Sequence, residues 1–533
     1  MNRFAFAAFV AIAFAGMTSP LGAAVPDAQA SAGFALDEAG IADQQRRMSS
    51  GELSAHAIVQ QYLDRIAAVD KSGPAINAII ELNPDALKIA DELDTERKNG
   101  KDRGPMHGIP VLIKDNIDTA DRMHTTAGSL ALVDSVPTQD STVAAKLRSA
   151  GAVILGKTNL SEWANFRSSH STSGWSGRGG QTRNPYVLDR NPCGSSSGTG
   201  AAIAANLAAA GIGSETDGSI VCPAAANGLV GIKPTLGLVS RAGIVPIAHS
   251  QDTAGPLART VTDAVTLLNA IVGPDPRDSL SASGEGHRSD YTRYLDVNAL
   301  HGARIGVVRK LAGFSPDVDA LLAKNIEALK AAGATVIDPV ELPNQGKYDD
   351  AELIVLEYEF KHDLDIYLAA LPSTANAPHS LAELIKYNER ERAREMPWFD
   401  QDLLEKSQAR GPLTDKIYRD ALAKEKLLAG KQGIDVVLKK HRLDALIAPT
   451  GGPAWVTDWI NGDHTTGGSS TPAAVAGYPD ITVPAGFVHA LPIGLSFFAG
   501  AWSEPRLIGL AYAFEQATHA RQPPKFLGSI TAP

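Results

Sequence analysis

Between about residues 105 and 260 the chain alternates short apolar runs with stretches of glycine, serine and alanine, and this pattern constrains its fold most. Runs such as VLI and AVIL have the length and composition of buried strands, and IVPI at 244–247 is predicted to be another. Helical spacing of apolar residues dominates 36–69, and from about residue 303 strand-like and helical patterns alternate. Strands that alternate with helices favour an α/β fold built as one large unit.

The composition limits the kinds of partner this chain is expected to bind. It has 533 residues, of which 44% are hydrophobic and 20% charged, an ordinary globular balance. The formal net charge is −10 and no long lysine/arginine run occurs, so neither a nucleic acid nor an anionic membrane surface is an expected partner. A small-molecule or short-peptide substrate fits this balance better.

The first thirty residues have the pattern of a secretory signal. Arg3 precedes an apolar run over 4–15, and small-residue cleavage signals follow at 22–24 and 28–30. The run is too short to span a membrane, and no later segment offers about 18 uninterrupted apolar residues. We therefore expect a signal peptide over 1–30 and a soluble, exported mature domain over 31–533, either periplasmic or secreted.

The chain has only two cysteines, Cys193 and Cys222. Export permits a disulfide between them, but two cysteines in so long a chain are not a disulfide framework. The sequence leaves both states open and slightly favours two buried thiols.

Two short motif matches fail when their context is considered. GAVILGKTNL at 151–160 matches a phosphate-binding loop, but the four residues between its glycines are an apolar strand and not a loop. GSSSG at 194–198 matches a nucleophile elbow centred on Ser196, but the preceding segment is broken by two prolines. Caps of the following alanine-rich helix are the better interpretation for Ser196 and Ser197.

No metal or organic cofactor is expected from the sequence. The thirteen histidines are scattered, with no HExxH motif and no cysteine/histidine cluster at ligand spacing. His124, His170 and His249 lie near the glycine- and serine-rich region, so a conventional serine–histidine pair would have to use one of them.

Three segments carry the side chains that an acyl-transfer site needs. HGIPVLIKDNID at 107–118 places Lys114 at the end of an apolar strand, CGSSSGTG supplies Ser195, and SETDGSI supplies Ser219. A lysine buried among apolar neighbours loses its charged form more readily than one in water. A pKa of ~7–8 would let Lys114 act as a base.

These three segments resemble the amidase signature family. The likeness extends to GAVILGKTNLSEWANF, to VGIKPTLGLVSRAGIVPIAHSQDTAGPLAR and to the C-terminal AAVAGYPDITVPAG, so that it covers most of residues 40–520. The resemblance implies one large α/β domain with a central mixed, twisted sheet covered by helices. It also implies an enzyme that cleaves linear amide bonds without a cofactor.

The resemblance further implies a role for each site residue. Ser219 would be the nucleophile, Ser195 a bridging serine after a cis Gly194–Ser195 peptide bond, and Lys114 the base that accepts the relayed proton. No histidine is required in this scheme. The oxyanion hole would consist of backbone N–H groups, those of Thr216, Asp217, Gly218 and Ser219.

One departure from the family pattern bears on the substrate. Many members have Gly-Gly before the nucleophile and arginine two residues after it, where this chain has Asp217-Gly218 and Val221. This variant resembles the branch that hydrolyses C-terminal amides of peptides to the acid and ammonia through an acyl-enzyme. We therefore expect a short peptide amide as substrate, with a broad-specificity amidase or an aryl acylamidase as the alternative within the family.

Three other functions are weighed against this expectation. A component of the tRNA-dependent amidotransferase shares these motifs, but the signal segment and the acidic net charge disfavour it. An exported solute-binding protein would hold an amide without cleaving it. A serine esterase would use one of the nearby histidines. The sequence does not give the preferred acyl group or the oligomeric state.

Overall fold

The computed structural model describes residues 33–372 and 377–530, and the predicted signal segment lies outside these residues. The described chain forms a single α/β domain around one large sheet, which confirms the predicted fold class. Its strands are β1 (Ile79–Leu82), β2 (Pro110–Lys114), β3 (Val153–Thr158), β4 (Trp175–Ser176), β5 (Gly180–Gln181), β6 (Ala210–Glu215), β7 (Val230–Lys233), β8 (Thr253–Ala258), β9 (Arg304–Val307), β10 (Thr335–Ile337), β11 (Ala445–Pro449), β12 (Asp480–Val488) and β13 (Leu491–Phe498).

The helices surround this sheet. They are α1 (Ile41–Ser49), α2 (Ala55–Val69), α3 (Ala86–Lys98), α4 (Thr142–Ser149), α5 (Ser197–Ala204), α6 (Val221–Ala226), α7 (Val261–Ile271), α8 (Pro316–Ala331), α9 (Asp349–Ala369), α10 (Leu381–Arg390), α11 (Arg392–Glu395), α12 (Asp402–Gln408), α13 (Lys416–Lys426), α14 (Asp435–His441), α15 (Thr471–Ala476) and α16 (Glu504–Thr518), with a π-helical turn at Leu427–Ile434. No helix of the described ranges is both long and apolar enough to cross a bilayer.

The main sheet has eleven strands in the order β1-β3-β2-β6-β8-β7-β12-β13-β11-β9-β10. It is mixed, because β2 runs parallel to β3 and β6 whereas β8 is antiparallel to both β6 and β7. The small strands β4 and β5 pair separately. The predicted strand at 244–247 does not form, and Ile244 makes only an isolated bridge with Ile117. Pro246 explains this, since a proline has no N–H to give to a strand ladder.

The parallel pair β2 and β6 positions the candidate site. Val111 pairs with Ala210 in register, so the two strands end side by side with Lys114 and Glu215. In α/β sheets the carboxyl ends of the strands are where ligands bind. The fully buried helix α5 contacts β2, β3 and β6, because its alanines and glycines let it approach the sheet closely. The residues just before α5 therefore meet the same sheet edge.

Candidate active site

Lys114 ends β2 with its side chain completely buried. Its Nζ donates to Ser195 Oγ at 2.7 Å, to Ser214 Oγ at 2.9 Å and to the Ser214 carbonyl at 3.2 Å. Asn116 Nδ2 also donates to Ser214 Oγ, at 2.9 Å. The lysine is thus held by polar groups inside an apolar sheet and points at the serine predicted to bridge.

Burial determines the protonation state of Lys114. Loss of hydration lowers the pKa of Lys114 to about 7, while the negative charges of Asp252 and Glu215 act in the opposite direction. Near neutral pH, Lys114 is therefore a neutral amine in a large fraction of the enzyme molecules. A neutral amine can accept a proton.

Ser195 is fully buried, and the residue before it, Gly194, is packed too tightly to carry a side chain. Its carbonyl accepts the N–H of Ser161 at 3.1 Å. A Cβ on Gly194 would collide with Ser161 Oγ, so glycine is required at that position. The Gly194–Ser195 peptide bond is cis.

Ser219 lies in the turn between β6 and α6, with 8% of its surface exposed. Its carbonyl accepts the N–H of Ser196 at 3.2 Å, so the segments that carry Ser195 and Ser219 are adjacent. A disulfide between Cys193 and Cys222 joins the same two segments, with 6.0 Å between the Cα atoms. The slight preference for free thiols is therefore wrong. Each cysteine lies in one of the two serine-bearing segments, and the fold brings these segments together. The spacing of the cysteines along the chain does not reveal this.

The buried carboxylate of Glu215 organises the turn around Ser219. It accepts the N–H of Gly218 at 2.9 Å, of Ile220 at 2.7 Å and of Val221 at 3.0 Å. The Gly218 N–H is therefore already engaged by a carboxylate, and the oxyanion hole with Gly218 as one of its donors stays a prediction. The physical reason is that a carboxylate taken out of water needs donors, and the turn supplies them.

The other predicted donors, Thr216, Asp217 and Ser219, lie on a turn that side chains hold in place. Thr216 Oγ1 donates to Asp252 at 2.6 Å, and Asp217 accepts from Ser470 at 2.5 Å and Thr471 at 2.7 Å. Gly218 has φ +80°, a left-handed conformation that favours glycine. A fixed turn is what an oxyanion hole needs, since its donors must not reorganise during the reaction.

A cavity of about 310 Å³ lies beside these residues. Ser214 and Asn116 line it next to the buried lysine, and Asp252 and Thr216 line it next to the turn. Its apolar wall comes largely from 244–247.

Comparison with known proteins identifies the family. The family model described as Amidase matches residues 57–508. This chain belongs to the amidase family. It is thus an amide-hydrolysing enzyme, and the alternative of a solute-binding protein is set aside.

Several relatives resemble this amidase over almost their whole length. A "probable amidase" of Arabidopsis thaliana is 42% identical over 505 residues, with 93% of each chain covered. A putative amidase of Schizosaccharomyces pombe is 37% identical over 526 residues, covering 92% of this chain and 87% of the relative. The structure of the peptide amidase of Stenotrophomonas maltophilia is 52% identical with a TM-score of 0.87, covering 92% of this chain and 99% of the other.

The rejected elbow serine has a structural place in the amidase. Ser196 Oγ donates to the Ser214 carbonyl at 3.1 Å and accepts the Ser214 N–H at 3.3 Å. Ser196 precedes α5 at the N-cap position, but its side chain makes no capping hydrogen bond, so that part of the prediction is wrong. Its hydroxyl is engaged by the end of β6 instead.

The three histidines considered for a serine–histidine pair have other surroundings. His249 lies between Asp363 and Glu359, and His124 pairs with Glu81 at 2.9 Å. His170 is exposed. Within 33–372 and 377–530, none of them hydrogen-bonds to Ser195, Ser196 or Ser219.

Sequence reasoning missed several residues that surround the proposed base. Ser214 accepts a hydrogen bond from Lys114 at its hydroxyl, and Asn116 donates to the same hydroxyl. The negative charge of Asp252 raises the pKa of Lys114. Ser214 and Glu215 immediately precede TDGSI at the end of an apolar strand, which is the only sequence signal that pointed to them. Asp252 is distant in sequence, and only the resemblance of VGIKPTLGLVSRAGIVPIAHSQDTAGPLAR to the family covered it.

The turnover of the amidase is expected to depend on the neutral form of Lys114. Since the pKa of Lys114 lies at about 7, kcat should fall about tenfold for each pH unit below that value, as the lysine becomes charged. The measurement is a pH–rate profile under saturating amide.

The control for this profile is Asp252→Asn. The negative charge of Asp252 raises the pKa of Lys114, so removing it should move the acidic limb of the profile to lower pH. A profile that is flat between pH 5 and 8, or a limb that does not move in this variant, would contradict Lys114 as the titrating base.

Proposed function

We propose that this amidase works through a relay of Lys114, Ser195 and Ser219. The observation that carries the proposal is the contact of 2.7 Å between Lys114 Nζ and Ser195 Oγ, in a buried position where the pKa of the lysine falls to about 7. A neutral amine that faces a serine hydroxyl provides a base without a histidine. The adjacency of the Ser195 and Ser219 segments supports Ser219 as the next member of the relay.

The reaction is proposed to proceed through an acyl-enzyme. Ser219 Oγ attacks the amide carbonyl carbon while its proton passes to Ser195 Oγ, whose own proton passes to Lys114 Nζ. The tetrahedral intermediate collapses, the C–N bond breaks, and the leaving nitrogen takes a proton back from the relay. Water then attacks the ester by the same route, which releases the acid and restores neutral Lys114.

The substrate is proposed to be the C-terminal amide of a short peptide, which gives the peptide acid and ammonia. Support comes from the 52% identity with the peptide amidase of Stenotrophomonas maltophilia. The Asp217-Gly218 variant before Ser219 supports the same branch. Internal peptide bonds would be spared if the site closes just beyond the scissile nitrogen.

The packing of the helical segments at 349–372 and 377–441 supports a closed site. From α9, Glu352 accepts a hydrogen bond at 2.9 Å from Gln251, whose amide nitrogen also lies 3.3 Å from the Thr216 carbonyl. After α11, the Phe399 carbonyl accepts from the buried Arg167 at 3.2 Å. The contact of α9 with Gln251, which also reaches Thr216, supports a wall on that side of the site.

The amidase is also proposed to act outside the cytoplasm. The predicted signal over 1–30 is one support, and the Cys193–Cys222 disulfide is another, because disulfides persist mainly in oxidising compartments. N-terminal sequencing of the mature protein tests this step. Such a location disfavours a role in a tRNA-dependent amidotransferase.

The substrate prediction is tested with three matched peptides: an amide, its free acid and its anilide. We expect the peptide amide to gain about one mass unit as NH₂ is replaced by OH, with no internal cleavage products. Mass spectrometry after incubation gives both results in one measurement.

Two outcomes would contradict the proposed substrate class. Rapid cleavage of the anilide with an inert peptide amide would indicate an aryl acylamidase of the same family. Fragments from internal peptide bonds would show that the site admits a continuous chain, and would overturn the closed-end argument.

A further inference from the structure

A group of potential metal ligands lies at the edge of the same cavity. His249 precedes β8, while His362 and Asp363 are on α9. Each offers one ligand atom, and these atoms all lie within 4.8 Å of one another. The two imidazoles flank the carboxylate, with 2.8 Å from His249 Nδ1 to one oxygen and 2.8 Å from His362 Nδ1 to the other.

We infer that His249, His362 and Asp363 form a binding site for a divalent transition-metal ion, with Zn²⁺ as the best match. Two imidazoles and a carboxylate are the nitrogen and oxygen ligands that Zn²⁺ takes in proteins. In a tetrahedral site with zinc bonds of ~2.1 Å, the ligand atoms lie about 3.4 Å apart. Since the ligand atoms here lie within 4.8 Å of one another, the most separated pair needs to approach by no more than about 1.4 Å.

The surroundings of His249 match those of a metal ligand. The fully buried carboxylate of Glu359 lies 3.3 Å from His249 Nε2 and is itself fixed by Tyr418 at 2.7 Å and the Ser250 N–H at 2.9 Å. Metal-bound histidines commonly donate their second ring nitrogen to such a carboxylate. With Glu359 fixing Nε2, Nδ1 faces Asp363 and is directed at the proposed ion.

The site is accessible and leaves an open coordination position. The side chains of His249 and His362 are 41% and 48% exposed, so an ion can reach them from solvent. His249 and Asp363 also line the cavity of about 310 Å³, which has room for water as a further ligand. Three protein ligands plus water is a common zinc arrangement.

Metal binding here would join two elements beside the active site. His249 belongs to the segment that carries Asp252, which accepts the N–H groups of Ile247 and Ala248 and holds Thr216. Linking this segment to α9 would stabilise the folded state, because the ion binds the native protein and not the separated ligands. The ion takes no part in the Lys114 relay, so turnover should not require it.

The test uses tag-free amidase stripped with EDTA and titrated with Co²⁺ at pH 8. We expect one Co²⁺ per chain, with a visible absorption band that Zn²⁺ abolishes, and a higher midpoint of thermal unfolding with Zn²⁺. Glu359→Gln should weaken binding about 10–100-fold, and His362→Ala by more. The stripped enzyme should retain its kcat.

The matched control is His56→Ala. His56 pairs with Asp91 at the same distance, 2.8 Å, on an exposed surface, so its loss should leave Co²⁺ binding unchanged. No Co²⁺ band in the wild type, or an undiminished band in His362→Ala, would overturn the site. Loss of turnover on stripping, recovered with one metal, would instead overturn the cofactor-free relay, so the two failures are distinguishable.

Discussion

Ser219→Ala is expected to abolish amide hydrolysis and covalent labelling by serine-directed phosphonylating agents. The substitution removes the oxygen that would form the acyl-enzyme, and the other hydroxyl of the turn, that of Thr216, is engaged by Asp252. Loss of a nucleophile of this type costs roughly 10⁴-fold or more in kcat. Intact-mass spectrometry of the labelled protein, together with ammonia release from a peptide amide, measures both effects.

Ser196→Ala is the matched control for this experiment. Ser196 is the serine that fits the elbow motif, but its hydroxyl exchanges two hydrogen bonds with the backbone of Ser214. Its removal should lower stability by about 1 kcal/mol and leave labelling at one site per chain. If Ser219→Ala still forms the adduct and Ser196→Ala does not, the elbow interpretation is correct instead.

The fold class followed from the sequence because strand and helix periods alternate along the chain. The segments around residues 304 and 335, with a helix between them, became β9, α8 and β10. The order of the strands was not predictable, since β8 enters the sheet between β6 and β7 as an antiparallel neighbour. That pairing depends on long-range contacts, which local periodicity does not encode.

The site was predictable where sequence neighbours carry the chemistry. Lys114 follows three apolar residues, so its burial and lowered pKa could be expected from the local pattern. The engagement of the Gly218 N–H could not, because it depends on how the Glu215 side chain folds back on the turn. The disulfide was missed for a related reason, since its cysteines meet only when the two serine segments meet.

The group of His249, His362 and Asp363 shows the same limit more strongly. The prediction that no histidine cluster has ligand spacing is a statement about neighbours in the chain. Here the segment before β8 meets α9 across more than a hundred residues. Tertiary packing assembles such groups, so sequence spacing detects only those built on a single element.

Lys114→Ala and Ser195→Ala are each expected to lower kcat by several orders of magnitude while the protein remains folded. Residues in one proton relay act as a unit, so the double variant should be little worse than either single variant. Lys114→Met removes the amine and its proton affinity but fills more of the side-chain volume than Lys114→Ala does. Steady-state kinetics, with circular dichroism as the check on folding, measure these effects.

A second buried lysine, on the neighbouring strand, is the control that distinguishes a catalytic role of Lys114 from the effect of removing any buried lysine. Lys157 on β3 pairs in register with Ile113, is completely buried, and has its pKa lowered by that burial, as Lys114 does. Its Nζ donates to the Ile117 carbonyl at 2.6 Å and to Thr125 at 2.8 Å, not to Ser195. Lys157→Met should therefore lower stability without the large loss in kcat that Lys114→Met produces. Near-normal turnover in Lys114→Met, or loss of turnover in His249→Ala alone, would show that the proton leaves Ser219 by another route.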